Sequence, residues 1–442
     1  MASSALTGPP APTTSAFPTD SVVPTGIQPA ARLGVLTATY DPEGGSAAVA
    51  GAICRSLAEL GHEVHVLTGF PNYPHGKIYP GYRLRPYQYE LRSGVHVHRV
   101  PLFPSHDRSA ARRAATYLSF AASASLRWRL LSRVDGWLVI TSQATTAIPA
   151  MVARALFRRP YVLHIQDLWP QTVVHSGFVR GHRTLDVITR CLHALCDTSY
   201  RWASAVAVTA PGMAAALHAR GVSHDKLAVI PNWIDEATFR PVPPDPALAR
   251  RLGLAGFVVM YAGSLGDVQG LDTLVEAAAL VRDLPDVRIV LAGTGVAETR
   301  LRRLAGDAGN VVFLGQQPVN RMADLAALSD VQLVSLADRP LFASTVPSKV
   351  QVALASGRPI IGAIGGDAAR LIERSGAGSA VPPGDPVALA GAIRRMRGLD
   401  DGARAAMGRA GRQFYLERLS SRIGGSALST LVRHAVGSTH HG

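Results

Sequence analysis

Only a few side chains in this 442-residue chain combine reactive chemistry with a place directly behind an apolar run. HIQDLWP (164–170) sets His164, Asp167 and Trp169 at the end of the run YVLHI. A histidine there can serve as base or hydrogen-bond donor, and an aspartate can take a proton or hold a sugar hydroxyl. The tryptophan offers a flat apolar face for a sugar ring. A buried structural His–Asp pair under a tryptophan is the alternative. Farther along, STVPSKVQVALASGRPII (344–361) brings Ser348 and Lys349 to the start of a helical pattern. Lysine is scarce, at Lys77, Lys226 and Lys349 against 42 arginines, so arginine-rich composition does not account for Lys349. A lysine beside helix amides suits a diphosphate, although a helix cap with a solvated lysine would look the same.

Glycines mark the loops that would carry such groups. Gly44 and Gly45 lie between the first apolar run and the first helical run, in YDPEGGSAAVAG. Gly263 and Ser264 follow FVVMYAG, and Gly293 and Gly295 lie in LAGTG. Paired glycines let backbone amides approach a phosphate, but there is no GxGxxG, and a plain tight turn uses glycine equally well. The segment GFPNYPHGKIYPGYRLRPY (69–87) gathers Asn72, Tyr73, Lys77 and Arg83 among prolines and glycines. Long loops at strand ends usually carry function; a rigid surface loop is the alternative. No DxD, HExxH, paired CxxC or clustered His/Cys set is visible, so no metal is expected. The absence of GxSxG argues against serine hydrolase chemistry.

Short apolar runs alternating with helical ones must position these groups. Strands are expected near 33–40, 64–68, 95–100, 137–141, 161–165, 205–209 and 227–231, with one long helical stretch over about 107–133. A second series begins at 257 after a proline-rich break. Such alternation means mostly parallel sheets covered on both faces, an α/β class with two Rossmann-like domains. The expected limits are a disordered tail at 1–31, an N-terminal domain at 32–235 and a linker at 236–256. A C-terminal domain at 257–402 and terminal helices at 403–442, crossing back to the first domain, complete the plan. Ligands in such sheets bind at the carboxyl ends of the strands, which places the site in the cleft between domains.

Composition narrows the classes further. A 47% hydrophobic, 17% charged chain with three cysteines is neither disordered nor a disulfide scaffold, and three free thiols fit a reducing cytosol. No signal peptide or run of about 20 apolar residues is apparent. The net charge of +14 is uneven: residues 83–133 hold ten arginines against Glu90 and Asp107. Within that stretch, 13 uncharged residues separate Arg112 and Arg113 from Arg127 and Arg129. This suits a helix on an anionic membrane surface, or an ordinary domain helix with exposed arginines. Nucleic-acid binding is disfavoured, because no recognised module accompanies the charge.

In order, the GG loop at 44–45, FPNYPHGKIYPGYR, DLWP, PNWID, YAGSLGDVQGL, VPSK and SGRP resemble the retaining family 4 glycosyltransferases. Within them the pattern is similar to the colanic-acid and O-antigen branch, with its fucosamine-type transferases. The likeness runs from about residue 33 to about 400. It implies a GT-B fold, with two Rossmann-like domains facing across a cleft. It implies a nucleotide-diphosphate sugar, such as a UDP-sugar, as co-substrate, with no cofactor and no essential metal. Gly44 and Gly45 would approach the diphosphate from one domain. Gly263, Ser264, Gly293, Gly295, Ser348 and Lys349 would do so from the other. His164 would face the donor sugar, and Asp167, Trp169 and the 69–85 loop would shape the acceptor side. His164, Asp167 and Lys349 are thus the candidate catalytic groups. The expected acceptor is lipid-linked or a glycan, at the cytoplasmic face of a membrane. A soluble transferase with a small-molecule acceptor and a non-catalytic nucleotide-sugar-binding subunit remain open. The chain departs from the family pattern where a pair of glutamates is usual, with Ser344 and Val352 instead, and where Gly266 and Asp267 replace an arginine and lysine.

Overall fold

The computed structural model describes residues 31–44, 46–105, 109–170 and 182–438. Its first sheet contains β1 (Arg32–Leu36), β2 (Glu63–Gly69), β3 (Gln88–Arg92), β4 (Val95–Val100), β5 (Gly136–Thr141), β6 (Tyr161–Ile165), β7 (Ala205–Val208) and β8 (Leu227–Val229). Their order is β3-β4-β2-β1-β5-β6-β7-β8. The second sheet contains β9 (Phe257–Ala262), β10 (Val287–Ala292), β11 (Val311–Gly315), β12 (Val331–Ser335), β13 (Ile360–Ala363) and β14 (Gly378–Val381). Their order is β11-β10-β9-β12-β13-β14. All pairings are parallel except β3 with β4. In each sheet the chain winds outward from one strand and then returns to that strand's other side. The switch points lie between β1 and β5 and between β9 and β12, where open α/β sheets leave a crevice.

Helices cover both faces. In the first domain they are α1 (Ser46–Glu59), α2 (Ala110–Ser125), α3 (Trp128–Arg133), α4 (Ile148–Phe157), α5 (His182–Trp202) and α6 (Pro211–Ala219). Then follow α7 (Pro246–Arg251), α8 (Asp272–Leu280), α9 (Glu298–Ala305), α10 (Met322–Ala327), α11 (Ser348–Ala355), α12 (Gly366–Arg374), α13 (Pro386–Gly398), α14 (Asp401–Arg418) and α15 (Ser421–Gly437). Central strands are almost wholly buried, GWLVIT of β5 at every position, because helices pack on both sides.

The elements differ from the sequence expectation in four places. The stretch 107–133 is two helices rather than one. The Leu126 amide closes α2, and Arg127 then leaves the helical region, with φ −86° and ψ 47°. The Arg127 guanidinium bonds the Pro86 carbonyl and lies 4.7 Å from the Tyr87 ring centre, which ties the break to the 69–87 loop. The strand β3 went unseen, because QYELR is a half-exposed antiparallel edge without an apolar run. The 236–256 segment contains α7, whose start is capped by the Asp245 carboxylate accepting from the Ala247 amide. The edge strand β14, GSAV, is likewise missing from the expected set, being short and only partly buried.

The last helix packs on α1, β5 and β6 of the first domain. Gly424 is needed there: a Cβ would stand 2.3 Å from the Trp233 ring. The Ser429 hydroxyl meets His62 Nε2 at 2.7 Å, and Glu236 accepts from the Ser421 amide at 2.7 Å. Among the described residues, no helix is long and apolar enough to cross a membrane.

Candidate active site

The loop after β1 is fixed by a residue that the sequence reading passed over. Glu43 is buried, and its carboxylate accepts backbone N–H groups from Tyr40 (3.0 Å), Asn72 (2.7 Å) and Tyr73 (2.7 Å). Burial pushes this carboxyl above its usual range, against the pull of those three bonds. One side chain therefore clamps the glycine loop to the 69–87 loop. Arg99, fully buried, adds a second tie: it bonds Glu90, the Gly69 carbonyl at 3.1 Å and the Asp41 carbonyl. Gly44 is exposed and a Cβ there would meet nothing, so sterics alone do not require glycine. Gly45 lies outside the described residues.

Beside the clamp is a cavity of about 110 Å³ at the carboxyl ends of the strands, lined in part by Thr39, Asn72, Tyr73, Arg113, Tyr117 and Gln143. Asn72 and Tyr73 are thus together, joined by Arg113, which the sequence reading assigned to a membrane face. The Arg113 guanidinium lies 3.4 Å from the Tyr117 hydroxyl on the next turn of α2. Lys77 and Arg83 are exposed on the loop and do not line this cavity. Trp169 does not present an open face. It is 9% exposed, donates from Nε1 to the Ser142 carbonyl and meets Tyr117 edge-on at 6.1 Å.

His164 is placed differently from the expectation that it faces a sugar. Its ring is fully buried in β6. Nε2 donates to the Ile230 carbonyl at 3.1 Å, and Nδ1 accepts from the Gln166 amide at 3.2 Å. Burial lowers its pKa to about 4, so the ring is neutral and both nitrogens are engaged. Gln166 in turn exchanges two bonds with Asn232. His164 therefore orients the β6 end and the PNWID turn. Asp167 is the group that reaches solvent here. Crowding by the surrounding protein raises its carboxyl to about 6 although the side chain remains exposed.

Across the cleft, the loops after β9 and β10 interlock. Gly263 has φ +142° and Gly293 has φ +150°, and a Cβ on Gly293 would stand 1.9 Å from the Gly263 carbonyl oxygen. Only glycine fits both the backbone angle and this approach. The Gly263 amide bonds the Ala292 carbonyl at 2.8 Å, and the Tyr261 hydroxyl holds the carbonyl of exposed Ser264 at 2.7 Å. Gly295 packs on the Leu265 backbone. Lys349, at the start of α11, lies directly over Gly263: a methyl there would stand 2.5 Å from its Cε and 2.9 Å from Nζ. Its ammonium is 5.2 Å from the Tyr261 ring centre. Burial lowers its pKa, and no described carboxylate offsets that shift.

Gly263, Ser348 and Lys349 line a cavity of about 190 Å³ with Met260, Met322 and Val352. The usual second glutamate position is therefore an apolar wall. Ser344 instead packs near Gly212 of α6. The Gly212 amide donates to Asp367 Oδ2 at 2.6 Å, a bond between the two domains onto a fully buried carboxylate. Asp267 is exposed and pairs with Arg300 at 2.8 Å. Of the remaining arginines assigned to a membrane, Arg112 and Arg129 are exposed, while Arg127 is held on the 69–87 loop.

Residues 44–233 match the family described as Glycosyl transferase 4-like domain, and residues 256–397 match Glycosyl transferases group 1. The putative colanic acid biosynthesis glycosyl transferase WcaI of Escherichia coli is 28% identical over 72% of this chain and 79% of its own length. The probable glycosyltransferase WbjE of Pseudomonas aeruginosa is 27% identical over 62% of this chain and 69% of its own. Among solved structures, sucrose-phosphate synthase from Thermosynechococcus elongatus superposes with TM-score 0.70 at 19% identity, over 92% of this chain and all of that one. Anabaena HepE in complex with UDP and glucose superposes with TM-score 0.64 at 16% identity, over 90% of this chain and 98% of that one. The two-sheet architecture is the GT-B fold. With both halves matched in order and the cleft between them, the chain belongs to the retaining family 4 glycosyltransferases, enzymes that draw on a nucleotide sugar.

Proposed function

We propose that the chain moves a sugar from a UDP-sugar to a hydroxyl of a lipid-linked or glycan acceptor during cell-surface or exported polysaccharide synthesis, at the inner face of the plasma membrane. The observation that carries the donor side is Lys349 seated over the Gly263 turn in a cavity. A diphosphate there would meet an ammonium group, the start of α11 and a glycine turn, and its charge would favour the protonated lysine. As the anomeric C–O bond breaks, the bonding pair leaves with the diphosphate, and Lys349 stabilises that charge. The acceptor oxygen bonds to the same face, and its proton passes to a leaving-phosphate oxygen. The cavity around Asn72, Tyr73 and Arg113 suits the acceptor end, and Asp167, just past the carboxyl end of β6, is ionised above about pH 6. Gly44 supports the diphosphate from the opposite domain. The relative named for colanic acid and the solved protein holding UDP agree with this reading.

The membrane part is supported by the α2–α3 corner. Leu118, Leu126 and Trp128 are 56%, 77% and 56% exposed, and exposed Arg112, Arg129 and Arg133 flank them. Burying such side chains in an interface while arginines meet anionic headgroups is favourable. Two measurements test the proposal. UDP release with a panel of UDP-sugars and a lipid-diphosphate acceptor should detect turnover; no release with any donor overturns the donor assignment. Pelleting with anionic vesicles should occur at low salt and fall at high salt and in Trp128→Ser; no vesicle-dependent pelleting favours a soluble enzyme with a small acceptor.

A further inference from the structure

Away from the cleft, the first sheet carries three histidines on one face. His65 of β2 is in register with His96 of β4, and His98 follows two residues later. Glu63, two residues before His65, shares this face. One ring nitrogen each from His65 and His96 and a carboxylate oxygen of Glu63 lie within 4.8 Å of one another. His65 Nε2 meets Glu63 Oε1 at 2.9 Å, and its Nδ1 meets His98 Nε2 at 3.0 Å. The Tyr87 hydroxyl lies 2.7 Å from His98 Nδ1, and the Tyr89 hydroxyl 2.8 Å from His96 Nδ1. His65 is four residues short of Gly69, roughly 13 Å from the cleft end of β2.

We propose that Glu63, His65 and His96 bind a divalent transition metal, with Zn²⁺ as the first choice, at this outer part of the sheet. Two imidazoles and one carboxylate are a zinc donor set that leaves a fourth position open. The second layer is already present. His98 and Tyr89 occupy Nδ1 of the two ligand rings and leave each Nε2 for the ion. Without metal, protons run one way along the chain: Tyr87 donates to His98, His98 to His65, and His65 Nε2–H to Glu63. With metal on His65 Nε2, the same bonds reverse, and each imidazole remains neutral. No proton need be lost, so loading requires only tautomer exchange. The rings of His65 and His96 now stack with centres 4.7 Å apart and planes 17° apart. Both lone pairs reach one ion only when the rings open about χ2, a soft torsion in histidine.

The surroundings set the fourth ligand. An open cavity of about 590 Å³ adjoins the cluster, lined by Glu63, His65, His98, Arg32, Arg127, Arg129 and Arg133 among others. Arg32 also bonds the second oxygen of Glu63 at 3.1 Å. These cations oppose a bare metal ion and favour an anion or hydroxide in the open position, so micromolar affinity is expected. The sequence showed no metal motif because the ligands come from two strands that are adjacent only after folding. The metal would join β2 to β4 and take no part in transfer.

The test is zinc titration of the chelator-stripped full-length protein against a chromophoric competitor, with cobalt absorption as a second readout. One equivalent should bind, and cobalt should give visible bands of a low-coordinate nitrogen–oxygen site. His96→Ala should lose the site, and His98→Gln should weaken it about 10-fold as an outer-layer change. Changing His440 and His441 to Ala should leave binding intact. Circular dichroism of each stripped variant checks folding separately. Less than a tenth of an equivalent bound, or full binding by well-folded His96→Ala, overturns the proposal. Loss of binding only in the His440/His441 variant overturns it as well.

Discussion

At the residue scale the decisive contact is Lys349 over Gly263. Its depressed pKa means that an ammonium group is held in poor solvation until an anion arrives. Lys349→Ala should therefore lower kcat about 10²–10³-fold, the usual effect of removing one stabilising donor, and leave the fold intact. Steady-state rates with thermal melting check both halves of that expectation. Asp167 gives a pH signature. Its raised pKa of about 6 leaves the carboxylate protonated below that value and ionised above it. If ionised Asp167 orients the acceptor hydroxyl, kcat/KM should rise through pH 6 in the native enzyme, and this limb should vanish in Asp167→Asn. A limb that persists assigns the titration to another group. Lys349 was legible in the sequence because a rare lysine opened a helix behind a Val-Pro-Ser turn. Glu43 was not legible, since its meaning depends on amides 29 and 30 residues away. His164 was found by type and position, but burial within β6 changes its role from reactive group to support.

At the element scale the candidate site is a set of loops at the carboxyl ends of parallel strands, and its precision comes from ties between loops. Glu43→Ala would leave three backbone N–H groups near the cleft without their acceptor. About 1–3 kcal/mol should be lost for the buried donors, and the 69–87 loop should loosen. The expected result is a lower urea midpoint and a raised acceptor KM with little change in donor KM. A donor-side effect of equal size would count against the clamp. The parallel strands were readable from sequence because burial on both faces makes them continuous apolar runs. The edge strands β3 and β14 lacked that mark. The break between α2 and α3 was hidden because a contact with Pro86, 41 residues away, stabilises it.

At the scale of the whole molecule, the two domains are tied by the cleft contact between Gly212 and Asp367 and by the return of α15 to the first domain. Gly424→Val would drive a side chain into Trp233, and overpacking of this kind costs about 1–3 kcal/mol. The first domain's melting temperature should fall, with the second domain's transition nearly unchanged; equal shifts in both would show that α15 is not specific to the first. The returning helix also bears on synthesis of the protein. Residues 31–230 build a sheet that still lacks one of its covering helices, and that helix is encoded roughly 190 residues farther along the message. At 5–20 residues per second, the early half waits roughly 10–40 s for its covering helix. During that interval the faces of α1 and Trp233 that α15 later hides remain open to chaperones and proteases. A chain stopped at residue 420 should therefore be digested in its first domain faster than the full-length protein. The order of translation thus makes the enzyme's first-made domain the last to be finished.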